Sequence, residues 1–241
     1  MMDRDGYTVF GRDARVTAWA KAAARAADRV IADPDLRAQN MRHGDTWFVG
    51  VDVLPNGPDG AVDGVPLDGP WDVPSMPLHP AQVSVIYPGY PQPDPDQSPA
   101  NHRYRVDRCA AHVDGLLPEG PERRRFAREL HAYILGLPLD DSTEAPTVIW
   151  PGSHHIMRAA LREAIGSGPA GNVDVTDAYH AARRAVFATC DPVPIRATLG
   201  QSFVIDRFAL HGTAPWTGPS GPPRKIAFFR PQFDSTADWF A

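Results

Sequence analysis

Hydrophobic and polar positions divide the chain into short apolar runs separated by turn-forming residues, and only one long stretch repeats with helical period. In DARVTAWAKAAARAADRVIAD, Val16, Trp19, Ala23, Ala26, Ala27 and Val30 recur at helical spacing. Asp13 stands where an N-cap belongs and Pro34 lies just past the end. This predicts a helix over about 13–32 that lays one face against a sheet. Strand-like runs follow: TWFVGVDV (Thr46 to Val53), AQVSVIY (Ala81 to Tyr87), RYRVDRCAAH ending in His112, HAYILGLPL from about Leu130, TVIWPGSHH from Thr147, then PIRATLG, QSFVID and RKIAFFRPQF from Arg224 to Phe233.

Between these runs, Gly57 to Pro80 is rich in Gly, Pro and Asp and reads as an irregular connection. The prolines of PGYPQPDPDQSP forbid a ladder and favour an extended loop over 88–99. PEGPERRRFAREL reads as a short helix or loop. HIMRAALREAIGSG and VTDAYHAARRAVFAT read as two helices, the second capped by Thr176, and form a helical insertion over about 154–188. No internal repeat or dividing linker appears, so residues 1–241 are read as one domain. Strands broken by turns, with a helix in front and helices inserted midway, predict a mainly β fold with flanking helices, a double-stranded β-helix or small jelly roll.

Composition sharpens this picture in one respect. Proline, at 26 of 241 residues, is about twice its usual share, which favours many short strands over a helical bundle. A net charge of −5 offers no basic stripe for nucleic acid. No apolar run reaches membrane-spanning length, and the start MMDRDGYTVFGRD lacks a signal-peptide layout, so the expected compartment is the cytoplasm and no membrane partner is expected. Cys109 and Cys190 lie in unrelated settings and are expected to be buried, reduced thiols.

The candidate chemistry sits in CAAHVDGLL. On a strand, His112 and Asp114 project to the same face and can reach one metal ion. With nine His and 29 acidic residues, about one His-x-Asp pair is expected by accident, and a second occurs at His43 and Asp45. That pair straddles Gly44 in a polar run and reads as a loop, which favours His112 and Asp114. An apolar run ending in His211 supplies a third donor. Two His and one carboxylate on one face of an octahedral ion are the donor set of non-haem Fe(II) oxygenases, with three positions left open, although imidazole and carboxylate do not by themselves name the metal.

Four pieces in order resemble the phytanoyl-CoA dioxygenase-like branch of the Fe(II)- and 2-oxoglutarate-dependent oxygenases. They are His112-x-Asp114, the strand ending in Pro151-Gly152-Ser153-His154, His211-Gly212-Thr213, and the strand opening on Arg224-Lys225. The resemblance covers about residues 80 to 233 and leaves the earlier part unmatched. It implies that His112, Asp114 and His211 hold Fe(II) and that Arg224 receives the far carboxylate of 2-oxoglutarate with support from the Thr213 hydroxyl. It further implies that O2 and 2-oxoglutarate are consumed as a small-molecule substrate is hydroxylated. Members that halogenate lack the carboxylate, so Asp114 favours hydroxylation. Alternation sends Lys225 to the opposite face from Arg224, while Arg230 shares the parity of Arg224 but is expected to lie too far along the strand. His131, Tyr133 and Leu135 share one parity and either line the pocket or face away from it. Two other readings stay open: a cupin-type metalloenzyme without 2-oxoglutarate, and a jelly-roll ligand-binding module without chemistry.

Overall fold

The computed structural model of the chain describes residues 2–241. The elements run in order α1 (Met2–Asp5), β1 (Tyr7–Phe10), α2 (Ala14–Ala32), α3 (Pro34–Asn40), β2 (Met41–Arg42), β3 (Trp47–Gly50), β4 (Gln82–Ile86) and α4 (Pro99–Asp107). They continue with β5 (Leu116–Glu119), β6 (Arg124–Ala127), β7 (Tyr133–Pro138), β8 (Thr147–Ile149), α5 (Ser153–Ile165) and α6 (Thr176–Thr189), then β9 (Val193–Ile195), β10 (Ser202–Asp206), β11 (His211–Thr213), β12 (Arg224–Phe229) and α7 (Thr236–Phe240).

The sheet orders establish the architecture. One sheet runs β1-β10-β7-β12-β4-β3-β2 and a second runs β11-β8-β9. His112 adds a single antiparallel bridge to His211, on the free edge of β11. From β4 onward the chain therefore passes from the large sheet to the small one at His112, back at β7, over at β8 and β9, back at β10, over at β11 and back at β12. All these pairings are antiparallel. Such winding of paired strands through two facing sheets is a double-stranded β-helix.

Two apolar layers follow from strand alternation. On the outer face of the large sheet, Val83, Val85, Leu135, Leu137, Ala227 and Phe229 pack against α2, with Trp19 5.7 Å from Phe229 between ring centroids. Asp13 caps α2 by accepting from the Arg15 amide. The side chains of opposite parity, Ile134, Phe203, Ile205, Ile226 and Phe228, fill the interior between the sheets together with Ile149 and Ile195 of the small one. Lys225 points outward and pairs with Asp28 of α2 at 2.8 Å.

Several segments depart from the sequence reading. RYRVDRCAAH is not a strand: Ser98 caps and Pro99 opens a helix, α4, and left-handed Cys109 and Ala110 then turn the chain to His112. The segment read as a short helix or loop is the β5–β6 hairpin. β3 is shorter than Thr46 to Val53, because the chain turns at left-handed Asp52. The run from Thr147 leaves strand geometry after Ile149, and α5 begins at Ser153. Thr176 is the first residue of α6 and not its cap; its amide and hydroxyl both donate to Asp174. Cys109 and Cys190 are free thiols, half-buried and not fully enclosed.

Gly136 on β7 has a packing reason. A Cβ there would lie 2.1 Å from the ring of Phe203, which is fully buried and packs edge-on to Phe228 at 6.1 Å. Gly136→Ala is therefore expected to destabilise the fold by about 1–3 kcal/mol, the usual cost of overpacking, measured by denaturant titration. An unchanged midpoint would show that the interior yields where this packing says it does not.

Candidate metal centre

His112, Asp114 and His211 each offer a ligand atom, and these atoms all lie within 4.8 Å of one another. They do not owe this to a continuous strand. His112 makes one backbone bridge to His211, with N···O distances of 2.8 and 3.0 Å in the two directions, and Asp114 lies in the turn before left-handed Gly115. Gly212 permits the approach, since a Cβ there would lie 2.1 Å from the Cys109 carbonyl oxygen.

Both imidazoles are fixed in the same way. His112 Nδ1 is 3.0 Å from the Ala110 carbonyl and His211 Nδ1 is 3.0 Å from the Ala209 carbonyl. A carbonyl only accepts, so each Nδ1 carries hydrogen and Nε2 is the atom of each ring that can present a lone pair. Those lone pairs face a carboxylate: His112 Nε2 is 3.0 Å from Asp114 Oδ1, and His211 Nε2 is 3.6 Å from Oδ2. Three acceptors directed at one another are unfavourable unless positive charge, a proton or a metal ion, lies among them. A metal ion meets that need, and anchoring of the distal ring nitrogen on a backbone carbonyl is usual for histidines that ligate metals. Burial pushes the Asp114 carboxyl up in pKa, but the Arg230 guanidinium beside it is the strongest opposing influence, and the group is held well below the ordinary carboxylate value. It is thus an anion at neutral pH.

The donors open onto a cavity of about 710 Å³. Thr213 lines it, as do Thr147, which is its register partner across β8 and β11, and Trp47, Gln82, His131 and Arg105. From β7 it is Ile134 that faces the cavity, while Tyr133 and Leu135 pack toward α2. His131 precedes the strand and reaches the cavity from outside its alternation.

Arg224 is 3% exposed. Its Nη2 donates to the Ala145 carbonyl at 2.5 Å, and its Nε and Nη1 have no hydrogen-bond partner. Burial lowers its pKa to about 10, and nearby Asp140 and Tyr90 only partly oppose that, so the guanidinium stays charged without a carboxylate contact. Ala145 stands two residues before Thr147, so the carbonyl that Arg224 bonds is near in sequence to that lining residue, while Arg224 itself does not line the cavity.

Arg230 has partners that the sequence reading did not name. It donates from Nε to Asp114 Oδ2 at 2.5 Å and from Nη1 to Gln82 Oε1 at 2.6 Å. The sequence reading set it too far along the strand from Arg224 to share that residue's task, and the triad lies at its end of β12. Arg105 was hidden by the reading of its segment as a strand. It lines the cavity, donates to the Tyr90 hydroxyl at 2.9 Å, and has an unpartnered, buried Nε. Thr147, also with an unpartnered hydroxyl, carried no sequence signal because strand threonines are common.

The rival pair does not assemble a site. His43 is 3.2 Å from Asp94 and stacks on Trp47 at 5.7 Å, and both His43 and Asp45 are left-handed turn residues. His154, in the Pro151-Gly152-Ser153-His154 turn, is buried at the start of α5.

No family model matches the sequence, and no curated protein matches it. Among solved structures, the chain is similar to EctD from S. alaskensis with 2-oxoglutarate and 5-hydroxyectoine, at 18% identity and a TM-score of 0.48, over 96% of this chain and 73% of that one. It is similar to HygX from Streptomyces hygroscopicus with nickel and 2-oxoglutarate bound, at 16% identity and 0.47, over 97% and 85%. A further likeness is to SnoK, a non-heme alpha ketoglutarate dependent carbocyclase from nogalamycin biosynthesis, at 14% identity and 0.45, over 95% and 81%. At such identities and scores the likeness concerns the path of the chain, and the chemistry rests on the side chains.

His43 generates a pH prediction. Burial, with Arg105 adding to it and Asp94 opposing it, lowers its pKa from 6.5 to about 4. The unfolded chain then binds more protons than the folded one between these values, so stability is complete above about pH 6.5 and declines as pH falls toward 4. His43→Gln is expected to flatten the slope of unfolding free energy over that window. An identical slope would place the effect elsewhere.

Proposed function

We propose that the protein is a non-haem Fe(II)- and 2-oxoglutarate-dependent dioxygenase that hydroxylates a small molecule. The observation that carries this reading is the convergence of two Nε2 lone pairs and one carboxylate, with both rings anchored through Nδ1 on backbone carbonyls. His112, Asp114 and His211 would hold the ion and leave positions open on the cavity side. Bound Fe(II) with 2-oxoglutarate and O2 would supply the oxidation: the co-acid loses CO2 and becomes succinate, one oxygen atom goes to succinate, and the other enters a substrate C–H bond.

The chain's own contribution is orientation and exclusion of water. Arg224 is suited to the far carboxylate of the co-acid, because a buried guanidinium with two unsatisfied nitrogens can donate two parallel hydrogen bonds to a carboxylate. Thr213 and Thr147 line the cavity, Thr147 two residues from the Ala145 carbonyl that Arg224 bonds, and their hydroxyls are suited to donate to the same group. Trp47, Gln82 and His131 form part of the remaining wall, where a substrate would sit. Resemblance to the phytanoyl-CoA dioxygenase-like branch supports the same assignments. Arg105 is the other cation with an unpartnered buried nitrogen, and since it faces the cavity directly it is the competing anchor. A cupin-type enzyme without a co-acid, or a binding module, would leave Arg224 without a task.

Anaerobic titration separates these readings. The native protein with Fe(II) and 2-oxoglutarate is expected to develop iron–2-oxo acid charge-transfer absorption, and His211→Ala to lose it with little change in thermal unfolding. Arg224→Ala should keep the metal but weaken 2-oxoglutarate by about 2–5 kcal/mol, the cost of leaving a buried charge without its partner. If Arg105→Ala carries that loss and Arg224→Ala does not, the anchor is Arg105. If the native protein gives no absorption, the oxygenase reading fails.

A further inference from the structure

The donor set leaves one coordination question that the triad alone does not answer. A carboxylate can give a metal one oxygen or two. Two histidines and one carboxylate oxygen leave three positions of an octahedron, enough for a chelating co-acid and O2, whereas a bidentate carboxylate leaves two. The structure contains a group that decides between them.

Resting on the oxygenase reading above, we infer that Arg230 is a positioning residue that occupies Asp114 Oδ2, so that only Oδ1 is offered to the ion and a position stays open for the co-acid or O2. Its Nε to Oδ2 contact of 2.5 Å is a charge-assisted hydrogen bond, while Oδ1 faces His112 Nε2 at 3.0 Å. The guanidinium cannot easily turn away. Nη1 is held by Gln82 Oε1 at 2.6 Å, and the group sits 5.1 Å over the Phe228 ring. The backbone beneath it is also packed against ring nitrogens, since the Arg230 carbonyl lies 3.1 Å from His79 Nε2 and 3.2 Å from His131 Nδ1. His131 is in turn 3.1 Å from Glu129. Gln82 and Phe228 face each other in register on β4 and β12, so the two strands that carry Arg230's supports are themselves paired.

The sign of the effect distinguishes this role from a merely structural one. Arg230 is a cation beside the place where a second cation would bind, so removing it favours the metal electrostatically. The same removal frees Oδ2 to join Oδ1 on the ion, which closes a position and weakens a chelating ligand. A structural role would instead lower metal affinity, co-acid affinity and thermal stability together.

The test compares the native protein with Arg230→Gln and Arg230→Lys under anaerobic conditions, measuring Mn(II) affinity, 2-oxoglutarate affinity in the presence of Mn(II), and thermal unfolding. Arg230→Gln is expected to bind Mn(II) at least as tightly as the native protein and 2-oxoglutarate on the order of tenfold more weakly, the scale usual for partners of ligand side chains. Arg230→Lys, which retains a charged donor for Oδ2, is expected to recover most of that loss. Unchanged 2-oxoglutarate affinity in Arg230→Gln overturns the inference, and so does a parallel fall in all three quantities. A native protein that binds neither Mn(II) nor 2-oxoglutarate overturns the oxygenase reading and this inference with it.

Discussion

Two imidazole lone pairs and a carboxylate are not held 3.0 and 3.6 Å apart without positive charge, a proton or a metal ion, among them. Everything near the site is arranged around that constraint. The Ala110 and Ala209 carbonyls fix hydrogen on Nδ1 of each ring, so neither His112 nor His211 can relieve the crowding by a change of tautomer without losing an anchor. Arg230 supplies part of the missing positive charge from one side. A metal ion would supply the rest, at the point where the acceptors meet.

The fold meets this requirement with little regular structure. One backbone bridge between His112 and His211 aligns the two rings, and Gly212 lets the Cys109 carbonyl come close enough for that bridge to form. Behind it, the interior apolar layer and the α2 layer fix the strands from which β11 and β12 project. Two arginines of equal parity then divide the labour along β12. Arg230 lies at the triad and is saturated by Asp114 and Gln82, whereas Arg224, six residues earlier, is buried with two nitrogens unsatisfied. A cation that is already paired orients its partner; one that is buried and unpaired is suited to an anion that arrives from solution.

The legible and illegible parts of this sequence differ for physical reasons. Helix α2 was readable because nineteen residues of helical period carry their own cap and buried face, β7, β10 and β12 because their cores are apolar runs, and β4 because Val83 and Val85 alternate with polar residues. The three converging side chains were readable because His-x-Asp and a distal His are a chemical pattern that does not depend on the backbone between them. That independence concealed an error: RYRVDRCAAH alternates like a strand, yet Ser98 and Pro99 start a helix there, and the donors converge through a turn and one bridge. Arg105 and the contacts of Arg230 went unforeseen for the same reason, since the surroundings of each depend on where a neighbouring element ends and not on its own residue type. Likewise, strand parity could not choose the pocket face of β7, because His131 enters the cavity from before the strand while Ile134 enters from within it.

The central claim is that the triad holds a metal and that Arg224 receives the far end of a chelating 2-oxo acid. A crystal grown anaerobically with Mn(II) and 2-oxoglutarate tests both parts in one measurement. The account predicts an anomalous-scattering peak among His112 Nε2, Asp114 Oδ1 and His211 Nε2, with density for the co-acid leading from it past Thr147 and Thr213 to the Arg224 guanidinium. A metal bound elsewhere, or a co-acid whose carboxylate rests on Arg105 or Arg230 with Arg224 still unpartnered, would contradict it.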